Sequence, residues 1–251
     1  SGGLIGYWSY DLALSYLKVP RSKPRPGRLP LQRFFLPGTV VVYDRFTGIL
    51  KIIIWTDSES ASPQAYWEAR QKILSLLDTA VQYVPQAEIR VEERENPADN
   101  FQVNVNRETF CHLVRKAKEH IRCGDVFQVV LSRRWQRTGK ADPWKVYLAL
   151  RKLNPSPYMF YIREKSSVFM GASPEMQARV LAGSLMIRPI AGTRKVTGDP
   201  KKDEALRRDL LNDEKEKAEH LMLVDLARND AGRVCQPGTV RVRDFMKLEP
   251  C

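Results

Sequence analysis

Two carboxylates three residues apart are the side chains in this sequence best suited to bind a metal ion. Glu216 and Glu219 lie in the segment 213–220, which reads DEKEKAEH. On a helix this spacing puts both on one face, where like charges repel unless they bind a cation or share a proton. Carboxylate oxygens suit Mg²⁺, which proteins hold through one or two carboxylates and substrate oxygens. The alternative is a solvated helix face neutralised by Lys215 and Lys217.

A third carboxylate, Glu175, closes the segment 171–175, which reads GASPE. The segment superficially resembles a nucleophile elbow around Ser173, in which the next residue lends its backbone N–H to an oxyanion hole. Pro174 has no N–H, which excludes that chemistry. Nucleotide-dependent chemistry has no support either, because the chain contains neither Gly-x-Gly-x-x-Gly nor Gly-Lys-Ser/Thr.

The predicted elements place these carboxylates on helices and beside strands. Apolar residues at three- and four-residue steps, with capping residues, predict helices over 65–77, 110–121, 143–153, 203–212 and 213–227. β-branched and apolar runs predict strands over 40–43, 49–55, 126–131, 158–162, 167–170 and 240–242, and a hairpin over 177–187. Strands and helices mix without a regular strand–helix–strand rhythm, which predicts the α+β class.

The composition indicates a globular chain with a basic surplus. Its 251 residues carry a formal net charge of +12, and 43% of them are hydrophobic, which suits one large domain or two ordinary ones. Much of the charge lies in the proline-rich stretch 18–33. No aromatic residues alternate with these charges as a base-stacking platform requires. We therefore expect a solvated loop and no nucleic-acid partner.

Membrane and zinc chemistry are also excluded at this level. No window approaches about 20 uninterrupted apolar residues, so no membrane span is expected. The first residues, SGGLIG, lack the charged start and apolar run of a signal peptide. The four cysteines are scattered without Cys-x-x-Cys spacing, and three histidines accompany them. Scattered single cysteines are typical of a reducing compartment and predict a cytoplasmic protein.

Six segments together resemble the chorismate-utilising enzymes, which include anthranilate synthases, aminodeoxychorismate synthases and isochorismate or salicylate synthases. They are DEKEKAEHLMLVDLARNDAGRV at 213–234, GASPE at 171–175, PIAGT at 189–193, GDVFQVVLS at 124–132, NPSPYMF at 154–160, and GLIGY at 3–7 with Tyr10 and Asp11. The segments occur in order and span nearly the whole chain, so the likeness is more specific than any single motif. It implies the anthranilate synthase-like fold, a mixed sheet or β-sandwich with peripheral helices.

Two positions select a branch of this family. Members that add water to chorismate carry a lysine base where this chain has Gln128, and an amide cannot take a proton from water near neutral pH. Aminodeoxychorismate synthases usually carry a lysine nucleophile where this chain has Ala191. A site without its own amine must admit free ammonia. The resemblance therefore implies the large subunits of the anthranilate synthase branch, lyases of tryptophan biosynthesis, with aminodeoxychorismate synthase as the alternative.

The resemblance also assigns roles to individual residues. Mg²⁺ would be held by Glu216 and Glu219, the catalytic residues would be Glu175 and Glu216, and the substrate would contact Ala191, Gly192 and Thr193. Glu175 would act as acid or base near the ring, the alternative being a structural carboxylate. The segment that contacts tryptophan in feedback-inhibited members would correspond to Asn154, Pro155, Ser156, Pro157, Tyr158 and Met159. Taken alone, that segment is a proline-rich turn entering an apolar strand.

The implied partners are chorismate, ammonia or a glutamine amidotransferase subunit that supplies it, and tryptophan as an inhibitor. The family pattern extends beyond this sequence at both ends, so we expect a fragment. A polar, glutamate-rich stretch predicts a domain boundary, with 1–99 as the remainder of the large subunit's N-terminal domain. Residues 100–251 would be the N-terminal half of the chorismate-binding catalytic domain. The alternative is a noncatalytic fragment that binds an amidotransferase or a complementing chain.

Overall fold

The structure, a computed structural model, describes residues 3–17, 30–56, 62–83 and 101–249. The chain divides into two compact units, Ser1–Ala87 and Glu88–Cys251. The predicted boundary between residues 99 and 100 lies outside the described residues, and so does most of the basic stretch 18–33. Neither of these two predictions is therefore tested by the fold.

The first unit combines strand pairs with helical segments. Its elements are β1 (Ile5–Trp8), a 3-10 turn (Tyr10–Leu12), α1 (Ala13–Tyr16), β2 (Gln32–Phe35), β3 (Thr39–Asp44), β4 (Ile49–Ile54) and α2 (Pro63–Gln82). β1 pairs with β2 and β3 with β4, both antiparallel, which confirms the predicted hairpin. The hairpin turn is stabilised by Asp44, whose Oδ1 accepts hydrogen bonds from the amides of Phe46 and Thr47 at 2.9 and 3.2 Å.

The second unit contains the segments that carry the candidate chemistry. Its elements are β5 (Gln102–Val103), α3 (Arg107–Arg122), β6 (Trp135–Gln136), α4 (Pro143–Leu153), β7 (Tyr158–Arg163), β8 (Val168–Ser173), β9 (Arg179–Leu181), β10 (Ser184–Met186), α5 (Pro200–Asn212) and α6 (Glu214–Gly232). The strands pair in sequence order, β5 with β6, β7 with β8 and β9 with β10, each antiparallel. Helices and antiparallel strands in this mixture confirm the α+β class.

The long helices begin at residues whose side chains accept hydrogen bonds from first-turn amides. These capping residues are Ser62, Asn106, Asp142, Asp199 and Asp213. Such caps satisfy amides that have no partner inside the helix and contribute about 1 kcal/mol each. The five predicted helices are confirmed, with ends that differ by a few residues. No helix within the described ranges is long and apolar enough to cross a membrane.

Two predicted strands are wrong. Residues 126–131 and 240–242 are not strands in the structure. Both segments have the β-branched, apolar composition that strands favour, but a strand exists only where its backbone pairs with a partner. In the described part of the chain, neither segment has a ladder partner. The short strand β6 forms just after the first of them, because Gln136 and Trp135 meet Gln102 and Val103.

Burial in the described part of the second unit is concentrated on β8 and at one position of α6. Val224, on this helix, is the one buried side chain among the described residues, with 9% of its surface exposed. α4 packs against β7 through aromatic contacts, with the ring centroids of Trp144 and Tyr161 5.2 Å apart. Other apolar side chains remain open, among them Phe127 at 92% and Val130 at 85% exposure. The helix predicted to carry the metal ligands thus contains this buried position, while β8 is half-buried along its whole length.

Candidate functional site

The turn at residues 189–193 lies between two of the predicted site carboxylates. The amide of Ile190 donates a hydrogen bond to Glu175 Oε1 at 3.0 Å. On the other side, a Cβ built on Gly192 would lie 3.1 Å from Glu216 Oε2 and 3.5 Å from Glu216 Cβ. The structure therefore brings together three motifs that are separate in the sequence: the segment that ends in Glu175, the glycine turn, and the first turn of α6.

Glycine is required at position 192 for two reasons. Its φ is +68°, in the left-handed region that side chains with a Cβ rarely adopt. A Cβ there would also lie only 2.8 Å from Leu210 Cδ1, near the end of α5. The turn can therefore approach both α5 and α6 closely only because this residue has no side chain.

The backbone of the turn is available to a ligand. Within the described residues, the amides of Ala191 and Gly192 donate no hydrogen bond inside the chain. Both residues are half-buried, whereas Thr193 is exposed. Successive amides around a left-handed residue form a concave donor surface that suits an anionic oxygen. The turn thus has the chemistry of a carboxylate-binding segment.

Glu175 is oriented by its own segment as well as by the turn. It follows the end of β8, where Ser173 Oγ donates to the carbonyl oxygen of Glu175 at 3.0 Å. The hydrogen bond from Ile190 occupies one lone pair of Oε1. A carboxylate has about four acceptor positions, so further capacity for substrate remains.

Glu216 and Glu219 occupy one side of the start of α6, as their spacing predicts. Asp213 caps the helix by accepting hydrogen bonds from the amides of Lys215 and Glu216 at 3.1 and 3.2 Å. The Glu216 side chain is only 20% exposed, and its Oε1 lies 4.0 Å from Arg194 Nη1 and 3.8 Å from Lys215 Nζ. These distances exceed a hydrogen bond, so the nearby cations attract the carboxylate without occupying its lone pairs.

Glu216 and Glu219 fit Mg²⁺ only in a site that leaves its other coordination positions to water and substrate. Among the described residues, no group of three or more His, Cys, Asp and Glu side chains is placed to hold a metal ion. Glu216 and Glu219 supply two carboxylates on one helix face. That number matches how Mg²⁺ is usually held, by one or two carboxylates with the remaining positions filled by water and substrate oxygens.

Arg194 is the site residue that the sequence analysis missed. Its Nε donates to Asp209 Oδ2 at 2.8 Å and its Nη2 donates to Asp213 Oδ2 at 3.0 Å. Hydrogen bonds with Asp209, and then with Asp213, raise the pKa of Arg194 above its ordinary value. The amide of Glu216, and then the guanidinium, hold the pKa of Asp213 below its ordinary value. Two aspartates four residues apart, together with an arginine that follows a glycine turn, are the sequence signal that could have suggested this cluster.

The segment predicted to contact tryptophan lies beside the strand that leads to Glu175. Asn154 caps the end of α4, with its amide donating to the carbonyl of Leu150 at 2.8 Å. In the ladder of β7 and β8, Tyr158 is opposite Ser173 and Met159 is opposite Ala172. The segment is therefore adjacent to the candidate site, while its binding of tryptophan stays a prediction.

Comparisons with known proteins agree with this arrangement. The family model for chorismate binding enzymes matches residues 1–251. The chain is 42% identical over 252 residues to anthranilate synthase component 1 of Aquifex aeolicus, covering 99% of this chain and 50% of that protein. It is 40% identical over 253 residues to anthranilate synthase component 1 of Acetivibrio thermocellus, covering 99% and 51%.

A solved structure supports the same fold. The crystal structure of anthranilate synthase component I from Streptococcus pneumoniae TIGR4 matches with a TM-score of 0.80 and 32% identity, over 100% of this chain and 54% of that chain. The chain thus spans about half the length of the curated relatives it matches. Because the family model covers all 251 residues, the resemblance found in the sequence is confirmed, and the chain belongs to the chorismate binding enzyme family.

Proposed function

We propose that this chain supplies part of the active site of an anthranilate synthase component I, in which ammonia adds to chorismate and pyruvate is eliminated to give anthranilate. The observation that carries the proposal is the meeting of Glu175, the turn 189–193 and Glu216. The names of the relatives support the choice of reaction. In this proposal residues 100–251 belong to the catalytic domain and 1–99 to the domain before it.

The turn would bind a carboxylate of chorismate. The amides of Ala191 and Gly192 are free to donate within the described chain, and the Thr193 hydroxyl is close to them in sequence. Hydrogen bonds to an ionised acceptor are about twice as strong as neutral ones. The half-buried position of the two amides strengthens such bonds further, because less water competes for them.

Glu175 would move the proton at the reacting ring. Its Oε1 accepts a hydrogen bond from the amide of Ile190, which directs the carboxylate toward the turn. We assign it the exchange of a proton with the ring hydroxyl that leaves, a role that typically contributes about 10²–10⁴-fold to a rate. A purely structural carboxylate would tolerate replacement by glutamine, which keeps the hydrogen-bond acceptor for Ile190.

Glu216 and Glu219 would hold Mg²⁺ beside the turn. When bound, this ion supplies Lewis-acid polarisation and orients the substrate carboxylate. Ala191 contributes a methyl group and no amine, so ammonia must enter from outside. A glutamine amidotransferase subunit is the proposed source of ammonia, and the cytoplasm is the proposed location, in line with the scattered free thiols of Cys111, Cys123 and Cys235.

The test is turnover by the purified chain with chorismate, Mg²⁺ and ammonium at mildly alkaline pH. We expect anthranilate, identified by mass and fluorescence, and a loss of at least about 100-fold in Glu219→Ala, since even partners outside the first ligand shell cost 10–100-fold. Glu204→Ala is the matched control, because Glu204 is an exposed helical glutamate that pairs with Arg208 at 3.1 Å. Turnover that survives Glu219→Ala would overturn the metal assignment, and a para-amino product would favour aminodeoxychorismate synthase.

A second candidate function is noncatalytic binding of a complementing chain or an amidotransferase. The observation that favours it is the exposure of large apolar side chains in the second unit, including Phe127, Val130, Val180 and Leu181. A large exposed apolar patch usually marks a contact with another polypeptide, and these side chains would supply its apolar groups. No turnover from a demonstrably folded sample would favour this candidate over the first.

A further inference from the structure

Arg194 connects the glycine turn to α5 and α6. Its guanidinium contacts Asp209 near the end of α5 and Asp213 at the start of α6. The third nitrogen, Nη1, donates to the carbonyl oxygen of Thr193 at 3.3 Å. The side chain is 26% exposed, so these contacts are partly shielded from water. One residue therefore ties the end of the glycine turn to both helices.

Asp209 and Asp213 keep Arg194 from forming a direct hydrogen bond with Glu216. The two aspartate partners of the guanidinium lie within 3.0 Å of it, whereas Glu216 Oε1 lies 4.0 Å away. The aspartate charges more than compensate the single positive charge, so Arg194 has little tendency to form a direct hydrogen bond with Glu216. The carboxylate of Glu216 thus keeps its lone pairs open to a ligand.

The planar guanidinium is necessary for this arrangement. Arginine presents several donors in a rigid fork, whereas lysine has a single ammonium at the end of a flexible chain. Nε and Nη2 of Arg194 contact different helices, which one ammonium cannot do with the same geometry. A lysine at position 194 would therefore keep the positive charge without connecting the turn to both helices.

The geometry points to Arg194 as a positioning residue that sets the distance between the amides of the turn 189–193 and the carboxylate of Glu216. Gly192, two residues earlier, makes the close approach to Glu216, and Arg194 fixes the end of the same turn. The inference deepens the proposed function and rests on it for the identity of the ligand. Its structural part, the immobilisation of the turn, can be measured without turnover.

The test uses the full chain and the variants Arg194→Gln, Arg194→Lys and Asp209→Asn. Arg208→Gln is the matched control, because Arg208 is an exposed α5 residue that pairs with Glu204. The first measurement is amide hydrogen exchange by mass spectrometry on a peptide that covers 189–194. The second is the KM and kcat for chorismate with ammonium as the amine.

We expect Arg194→Gln to speed exchange of the Ile190 amide, which donates to Glu175, by at least about tenfold, while peptides from α4 and β7 stay unchanged. The KM for chorismate should rise by at least about tenfold, with a smaller change in kcat, because the turn is assigned to substrate binding. Arg194→Lys and Asp209→Asn should reproduce part of both effects. Arg208→Gln should match the unsubstituted chain.

Three results would overturn the inference. They are unchanged exchange in the turn of Arg194→Gln, faster exchange throughout the second unit, and full rescue by Arg194→Lys in both measurements. A chain that shows no turnover before substitution contradicts the proposed function for this chain alone, and the exchange pattern then decides the role of Arg194 by itself.

Discussion

Gly192 has a positive φ and lies in close contact with α5 and α6, and both features favour a residue without a side chain. Gly198 provides a natural comparison, because its φ is +82° but a Cβ there would have nothing within 4 Å. The two glycines therefore share the backbone requirement and differ in the contact. Any additional effect at position 192 reports how closely the turn must approach Leu210 and Glu216.

We predict that Gly192→Ala destabilises the chain more than Gly198→Ala. Each substitution places an L-residue in the left-handed region, at about 1–2 kcal/mol. Gly192→Ala should add up to about 1 kcal/mol, because its new methyl group must displace the end of the Leu210 side chain and the Glu216 carboxylate. The difference is measured from urea unfolding midpoints, and the KM for chorismate should rise in Gly192→Ala only. Equal losses from both substitutions would contradict the close approach.

At the scale of elements, the junction of α5 and α6 is organised by Asp213. This residue ends α5 and caps α6, and it also accepts a hydrogen bond from Arg194. Asp199 caps α5 in the same way, accepting from the amides of Lys201 and Lys202 at 2.9 and 3.4 Å. The two aspartates thus share the capping role, and of these two Asp213 also has a described contact with Arg194, the residue after the turn 189–193.

Asp199→Ala and Asp213→Ala should each lower the free energy of unfolding by about 1 kcal/mol through loss of the cap. Asp213→Ala should in addition lower turnover, because the start of α6 carries Glu216 and is connected to the glycine turn through Arg194. Thermal unfolding and the chorismate assay separate the two effects. If both variants lose the same turnover for the same loss of stability, the junction has no role beyond folding.

At the scale of the whole molecule, the second unit presents open apolar surface, and the chain spans about half the length of its relatives. Phe127 and Val130 are nearly fully exposed although they lie in a segment of strand-forming composition. Unpaired backbone next to exposed apolar side chains is able to accept another strand or helix. This surface is the physical basis of the second candidate function.

A complementing polypeptide should therefore stabilise the chain. As the probe we would use the part of the Aquifex aeolicus anthranilate synthase component 1 that lies outside the match. We expect co-elution with this chain and a higher thermal midpoint, because a partner that binds only the folded state stabilises it by mass action. Phe127→Ser should weaken the association. The control is Phe46→Ser, at an exposed residue of the first unit, which should leave the association unchanged. If the probe does not associate with the unsubstituted chain, a binding role for the apolar surface is contradicted.

The sequence by itself determined the family, the helices and the pairing of local strands. Periodicity and caps such as Asp142 act within one turn of a helix, and hairpins such as β9–β10 join neighbouring residues, so both can be read along the chain. The placement of Glu216 and Glu219 on one face follows from helical geometry in the same way. The two strands that were wrongly predicted, 126–131 and 240–242, depend on a partner elsewhere in the fold, which composition cannot supply.

Only the tertiary structure decided how the motifs meet. The hydrogen bond from Ile190 to Glu175, the contact of Gly192 with Glu216, and the connection of Arg194 to Asp209 and Asp213 all join residues that are distant along the chain. Such contacts depend on how turns and helices pack in space, and many packings are compatible with one pattern of local elements. The sequence indicated which residues could do the chemistry, and the packing determined which of them lie together.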